Sequence, residues 1–205
     1  TSGAGGYKQQ DVREDYLQRI CDDVKLSKPL TIAVDCGNGV AGELAPALFK
    51  RMGCEVIELF TEIDGNFPNH HPDPSKLENL NDLIKSIDAS GVDLGLAFDG
   101  DGDRVGIIDN KKNIIWPDRQ MMLYAKDVLS RNSGAQIIFD IKSSNHLANE
   151  ITRMGGEALM WKTGHSFIKA KMTETGALLA GEMSGNIFFK ERCFGCSDGL
   201  YSGGR

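Results

Sequence analysis

Apolar positions along the chain follow two periods, short continuous runs and a helical spacing, which alternate for most of its length. Val12, Tyr16, Leu17 and Ile20 share one helical face and predict a helix over 11–24. Leu30 to Asp35 is an apolar run of strand length, followed by a Gly-rich turn and a helical pattern over 43–52. A strand over 55–60, a helix over 78–89 and a strand over 92–98 continue the series. Between them, segment 64–74 reads as a loop carrying His70 and His71 and stiffened by Pro68, Pro72 and Pro74. Val105 to Asp109 and Asn113 to Ile115 flank Asn110-Lys111-Lys112 as a hairpin. Trp116-Pro117-Asp118 then marks a boundary, with Asp118 placed to cap a helix running to Val128.

The same grammar restarts after that boundary. Strands are predicted over 136–141, 157–160 and 177–180, with helices over 145–154 and 165–173 between them. Alternation of this kind predicts an α/β fold: two tandem α/β domains, 1–112 and 113–205, each a mostly parallel mixed sheet flanked by helices. Residues 1–6 are small and read as a linker or a truncated beginning.

Composition narrows the function. A chain of 205 residues, 40% hydrophobic, can bury a core for one or two domains. Its net charge of −6 argues against nucleic acid as a partner, which needs a basic face. No apolar run reaches the length of a membrane span and no secretory leader is seen, so a soluble, cytoplasmic protein is expected. The five cysteines are odd in number and widely spaced, which suits reduced thiols. Cys193-Phe194-Gly195-Cys196 lacks the second pair that a zinc site needs.

The most informative stretch is Asp99-Gly100-Asp101-Gly102-Asp103-Arg104, delivered by a strongly apolar strand. Three carboxylates at alternate positions need a counter-charge, and a hard divalent cation with oxygen ligands supplies one. An EF-hand would have Gly at the sixth position and Glu at the twelfth, where this chain has Arg104 and Asn110. Mg²⁺ is therefore the expected ion, at Asp99, Asp101 and Asp103. Arg104 adds a fixed positive fork suited to phosphate. Gly37-x-Gly39-x-x-Gly42 matches a dinucleotide fingerprint, but nothing else nearby points to a nucleotide.

In the second half three polar loops follow strand ends, namely 142–144, 162–166 and 181–186. Parallel strands would bring them to one rim, where ligands bind in such sheets. Taken singly, Lys142 and Lys162 read as surface lysines and His165 as a neighbour of a helix cap. Ser184 is no nucleophile elbow, since Glu182 stands where that motif has Gly. Taken together, Glu182 and Ser184 suit adjacent sugar hydroxyls, while Lys142, Lys162 and His165 supply positive charge for a phosphate.

The acidic loop resembles the metal-binding loop of the α-D-phosphohexomutase superfamily, the phosphomannomutase/phosphoglucomutase enzymes. Gly181-Glu182-Met183-Ser184-Gly185 resembles its sugar-specificity loop, and Lys162-Thr163-Gly164-His165-Ser166 the loop beside it. The resemblance implies Mg²⁺ on Asp99, Asp101 and Asp103, and catalytic parts for Arg104, Lys142 and His165. It implies sugar-phosphate contacts from Glu182, Ser184, Asn186, Lys142 and His165. The implied reaction interconverts hexose 1-phosphate and 6-phosphate, of mannose or glucose, through a phosphoserine and a bisphosphorylated sugar. This chain resembles only the middle two of the family's four domains. The serine loop of the first and the phosphate loop of the last have no counterpart, so a fragment is expected, inactive alone. Two departures stand out: Asn186 where bacterial members commonly carry a His that assists proton transfer, and Cys193 where an aromatic residue is usual. The alternatives are a phosphoglucosamine mutase, a Mg²⁺-dependent phosphatase built on Asp101-Gly102-Asp103-Arg104-Val105, or a non-catalytic sugar-phosphate binding module.

Overall fold

The computed structural model describes residues 3–89 and 91–205, excepting the side chains of 88 and 89; residues 1 and 2 of the expected linker lie outside that description. Two sheets carry the strands. In the first, β1 (Thr31–Asp35) lies between β2 (Glu55–Leu59) and β3 (Leu94–Phe98), parallel to both. β3 turns back antiparallel into β4 (Val105–Asp109), and β5 (Ile114–Ile115) pairs on the outside. The parallel strands are joined by α2 (Ala41–Arg51) and by α3 (Asn81–Ala89), which follows a 3-10 turn at Leu77–Leu80. β5 extends the first sheet past residue 112, where the domains were expected to divide.

The second sheet repeats this plan. β6 (Gln136–Asp140) lies between β7 (Glu157–Trp161) and β8 (Leu179–Gly181), and β8 turns back into β9 (Ile187–Phe189). Its crossovers are α5 (Asn145–Arg153) and α6 (His165–Thr175). Position in the sheet explains each strand's sequence. The central β1 and β6 are buried from their second residue onward, as strands covered on both faces must be. The outer β2 and β7 share one pattern, exposed at the first and fourth residues and half-buried at the others.

Asp118 does not cap α4 (Pro117–Arg131). Pro117 opens that helix with its φ already suited to the first turn, and Asp118 lies inside it. Its carboxylate instead accepts the backbone N–H of Ser144, 3.2 Å away at the start of α5.

β9 had no sequence prediction, and a short helix, α7 (Gly199–Gly204), follows it. Half of α7 is glycine, which disfavours an isolated helix. Tertiary contacts hold it instead. Asp198 accepts the Tyr201 N–H at 2.9 Å, the Tyr201 hydroxyl donates to Asp23 at 2.6 Å, and Tyr124 donates to the Ser202 carbonyl at 2.9 Å. Gly203 lies against Phe49, Leu96 and Phe98 of the first half. One buried cluster therefore runs from Leu17 and Ile20 of α1 (Arg13–Asp23) through Leu48 and Phe98 to Phe139 and Phe189. Smaller cores lie under α3 and α6. Among the described residues no helix is long and apolar enough to cross a membrane.

Gly42, in the first turn of α2, has no room for a side chain: a Cβ there would press into the Thr61 carbonyl oxygen. Gly42→Ala is expected to lower stability by about 2 kcal/mol, as overpacking does. Urea denaturation measures this, and a loss under about 0.5 kcal/mol would mean that α2 can shift to absorb the methyl group.

Candidate active site

The functional loops leave the C-terminal ends of the parallel strands. At the first sheet's rim, the turn after β1 lies directly against the acidic loop after β3. A Cβ on Gly39 would meet the Gly100 carbonyl oxygen at 2.8 Å and the Asp99 carbonyl oxygen at 3.0 Å. Val40 donates its backbone N–H to Gly100 at 3.1 Å. The glycine spacing that imitates a dinucleotide fingerprint thus serves close packing between two loops.

Asp99, Asp101 and Asp103 each place a carboxylate oxygen within 4.8 Å of the other two. Among the described residues no other group of His, Cys, Asp or Glu side chains converges in this way. Asp99 is buried, Asp101 is exposed and Asp103 is half-buried. Arg104 answers part of this charge. Its Nε donates to Asp99 Oδ2 at 2.5 Å and its backbone N–H to Asp99 Oδ1 at 3.1 Å. Its Nη1 reaches Asp73 at 3.3 Å. Asp73, from the Pro-rich loop, is a partner that sequence reading missed; only its place between Pro72 and Pro74 marked it as rigidly held.

Compensation is incomplete. Burial, then the negative charges of Asp99 and Asp101, push the Asp103 carboxyl from 3.8 up to about 6. Burial also pushes Asp99 upward, against the pull of Arg104. Three oxygen donors with unrelieved negative charge fit a hard divalent cation such as Mg²⁺.

Of the adjacent histidines, His70 turns inward, its Nε2 3.1 Å from buried Asp35, while His71 is exposed.

At the second sheet's rim, Glu182 is buried and its Oε1 accepts the Gly164 N–H at 2.6 Å, which ties the 181–186 loop to the loop before α6. His165 opens α6, exposed, with its ring 4.9 Å from that of Phe188. Lys162 lies over the Phe167 ring at 3.8 Å. Lys142 is exposed, 3.9 Å from Asp140. Asp140 itself is fully buried and accepts from Ser143 at 3.0 Å and Thr163 at 3.1 Å, clamping two of the three loops together. Sequence reading passed over it. The available signal was its likeness to Asp35, which ends the equivalent strand of the first sheet.

The two rims join. Arg104 and Asn186, each the last residue of its hairpin loop, pair as an antiparallel β-bridge. Asn186 Nδ2 donates to Asp103 Oδ2 at 2.9 Å and to Ser197 Oγ at 3.1 Å, and Oδ1 accepts from Ser184 at 2.9 Å. Asn186, expected to touch substrate, thus has its amide engaged by protein at both ends. Ser197, which also donates to the Asp103 carbonyl at 3.0 Å, had no sequence signal.

Residues 14–112 match phosphoglucomutase/phosphomannomutase, alpha/beta/alpha domain II, and residues 116–204 match alpha/beta/alpha domain III. The chain belongs to the phosphoglucomutase/phosphomannomutase family. A phosphomannomutase/phosphoglucomutase of Pseudomonas aeruginosa is 60% identical over 204 residues, covering 100% of this chain and 44% of the relative. A phosphoglucomutase of Neisseria gonorrhoeae is 58% identical over 201 residues, covering 98% and 44%. The crystal structure of a phosphoglucomutase/phosphomannomutase family protein from Burkholderia thailandensis superposes with a TM-score of 0.98 at 59% identity, covering 100% of this chain and 44% of that one. The chain therefore spans less than half the length of the curated relatives it matches.

In this phosphoglucomutase/phosphomannomutase chain the raised Asp103 gives a pH dependence with a definite sign. The folded state holds its proton more tightly than the unfolded state. Its contribution to stability is full at low pH and is lost as pH rises through about 6. A cation held there would relieve the repulsion that then remains. MgCl₂ is expected to raise the melting temperature clearly at about pH 7.5 and much less at about pH 5, where a proton competes at Asp103. Equal shifts at both would exclude Asp103 as a ligand.

Proposed function

We propose that the chain is the metal-binding and sugar-binding middle of a Mg²⁺-dependent phosphohexomutase that interconverts hexose 1-phosphate and hexose 6-phosphate. The observation that carries this reading is the junction of the two rims, where Arg104 pairs with Asn186 and the acidic loop meets the loop holding Glu182 and Ser184. A cation loop and a polyol-binding loop in direct contact suit transfer of a phosphoryl group to and from a sugar.

Asp99, Asp101 and Asp103 would hold the Mg²⁺, which when bound supplies neutralising charge beside the transferring phosphoryl group. Arg104, fixed from both sides by Asp99 and Asp73, is a preorganised positive group for the same phosphoryl oxygens. Glu182 and Ser184 orient the sugar through its hydroxyls. Mannose and glucose phosphates both fit that pair. Lys142 and His165, exposed on the same rim, contact the sugar's standing phosphate or carry the hydroxyl proton. In the forward half-reaction a phosphoserine passes its phosphoryl group to the free sugar hydroxyl, and that hydroxyl's proton goes to a base. The bisphosphorylated sugar then turns over, and its other phosphoryl group returns to the serine. The serine loop and a second phosphate loop would lie in polypeptide outside residues 1–205, so this chain alone is expected to bind ligand without turnover.

Asp101 is exposed and carries none of the loop's internal bonds, so its replacement tests chemistry apart from folding. In a full-length polypeptide containing these domains, Asp101→Asn is expected to abolish Mg²⁺-dependent conversion of glucose 1-phosphate with the melting temperature little changed. Glu182→Gln should lower kcat/KM roughly 10- to 100-fold, the usual loss for a charged hydrogen bond. Full activity in Asp101→Asn, or sustained turnover by the 205-residue chain, would refute the assignment.

A further inference from the structure

Asn186 joins the two rims through its amide: one end crosses the domain junction to Asp103, and the other is held by Ser184 of its own loop. A carboxylate can only accept, so the atom facing Asp103 must be the donor Nδ2, and Oδ1 must face Ser184. Ser197 spends its own proton on the Asp103 carbonyl and so accepts the second Nδ2 proton. The Ser184 proton is in turn aimed at Asn186 Oδ1. The lone pairs of Ser184 are thereby left for a donor from outside, such as a sugar hydroxyl.

We infer that Asn186 is a positioning residue that transmits cation binding at the acidic loop to the ligand-facing hydroxyl of Ser184. This rests on the metal and sugar reading given above and adds the route between the two sites. The backbone of Asn186 is pinned by its bridge to Arg104 and by its carbonyl, which accepts the Glu182 N–H at 3.0 Å. Its side chain is nine-tenths buried and lies between the two loops. When a cation draws electron density and position from the Asp103 carboxylate, the amide bonded to Oδ2 responds, and the Ser184 hydroxyl bonded to the other end of that amide responds with it. Such coupling is reciprocal, so a sugar bound at Ser184 also tightens the cation.

The test is a titration of the ¹⁵N-labelled 205-residue chain with MgCl₂, read by NMR. In the wild type, shifts are expected at 99–104, at the Asn186 side-chain amide and at the backbone amides of 183–185. In Asn186→Leu, similar in volume but with neither donor nor acceptor, 99–104 should still respond and 183–185 should lose their response. A merely structural Asn186 would lower the melting temperature of the variant and leave the transmission intact. If Asn186→Leu does not fold, the wild-type titration decides alone: shifts at 99–104 with a silent Asn186 amide and silent 183–185 overturn the inference. Shifts at 183–185 that persist in the variant overturn it too. Silence at 99–104 in the wild type overturns the metal reading and the inference together, so the two failures are distinguished by where the response stops.

Discussion

Repulsion among Asp99, Asp101 and Asp103 is the constraint around which this molecule is arranged. Their oxygens lie within 4.8 Å of one another, so without compensation the loop would open. Arg104 supplies the only covalently tethered counter-charge in the loop, and Asp99 and Asp73 fix it in place. That leaves Asp103 under-compensated: burial, and then the charges of Asp99 and Asp101, push its carboxyl upward. A loop that must hold like charges close together cannot rely on its own six residues. It is braced by the Gly39 turn on one side and by Asn186 on the other.

The bracing uses one scaffold twice. Asp99 follows the last residue of β3 as Glu182 follows the last residue of β8, and each is a buried carboxylate that accepts a backbone N–H. Asp35 and Asp140 end the two central strands and tie neighbouring loops, one through His70 and the other through Ser143 and Thr163. The same strand plan therefore delivers the acidic loop in one half and the loop holding Glu182 and Ser184 in the other. What differs is the number of acidic residues that follow the shared first carboxylate. Equivalent hairpins meeting at Arg104 and Asn186 place the two loops side by side without a dedicated linker.

Much of this was legible in the sequence. The long amphipathic helices and the buried central strands announced themselves by period, and the acidic loop by like charges that needed a partner. Glu182 and Ser184 were visible because their loop follows a strand end. Other features were not legible because their cause is tertiary. α7 is half glycine and is held by contacts to α1, α4 and the first sheet. Asp118 looked like a cap until Pro117 took the start of the helix. The partnership of Asp73 with Arg104, 31 positions apart, and of Asn186 with Asp103, 83 positions apart, leaves no trace in local pattern. Asn186 was expected at the substrate for its place in the loop, and nothing local shows that its amide is already engaged.

The division into two domains describes the sheets better than it describes the site. The Gly199 N–H donates to the Gly102 carbonyl at 3.0 Å, and Gly199 has no Cβ to collide with the carbonyls of Gly102 and Arg104. Ser197 and Asn186 hold Asp103 from the same side. The acidic loop thus belongs to the first sheet by sequence, while part of its shape comes from residues about a hundred positions later in the second half. With a common core running beneath both sheets, a change in α7 or β9 reaches the carboxylates through packing and main-chain hydrogen bonds. Neither half-site is complete within its own sheet. The geometry at the junction is therefore a property of the pair, and the folding of one half is part of the chemistry of the other.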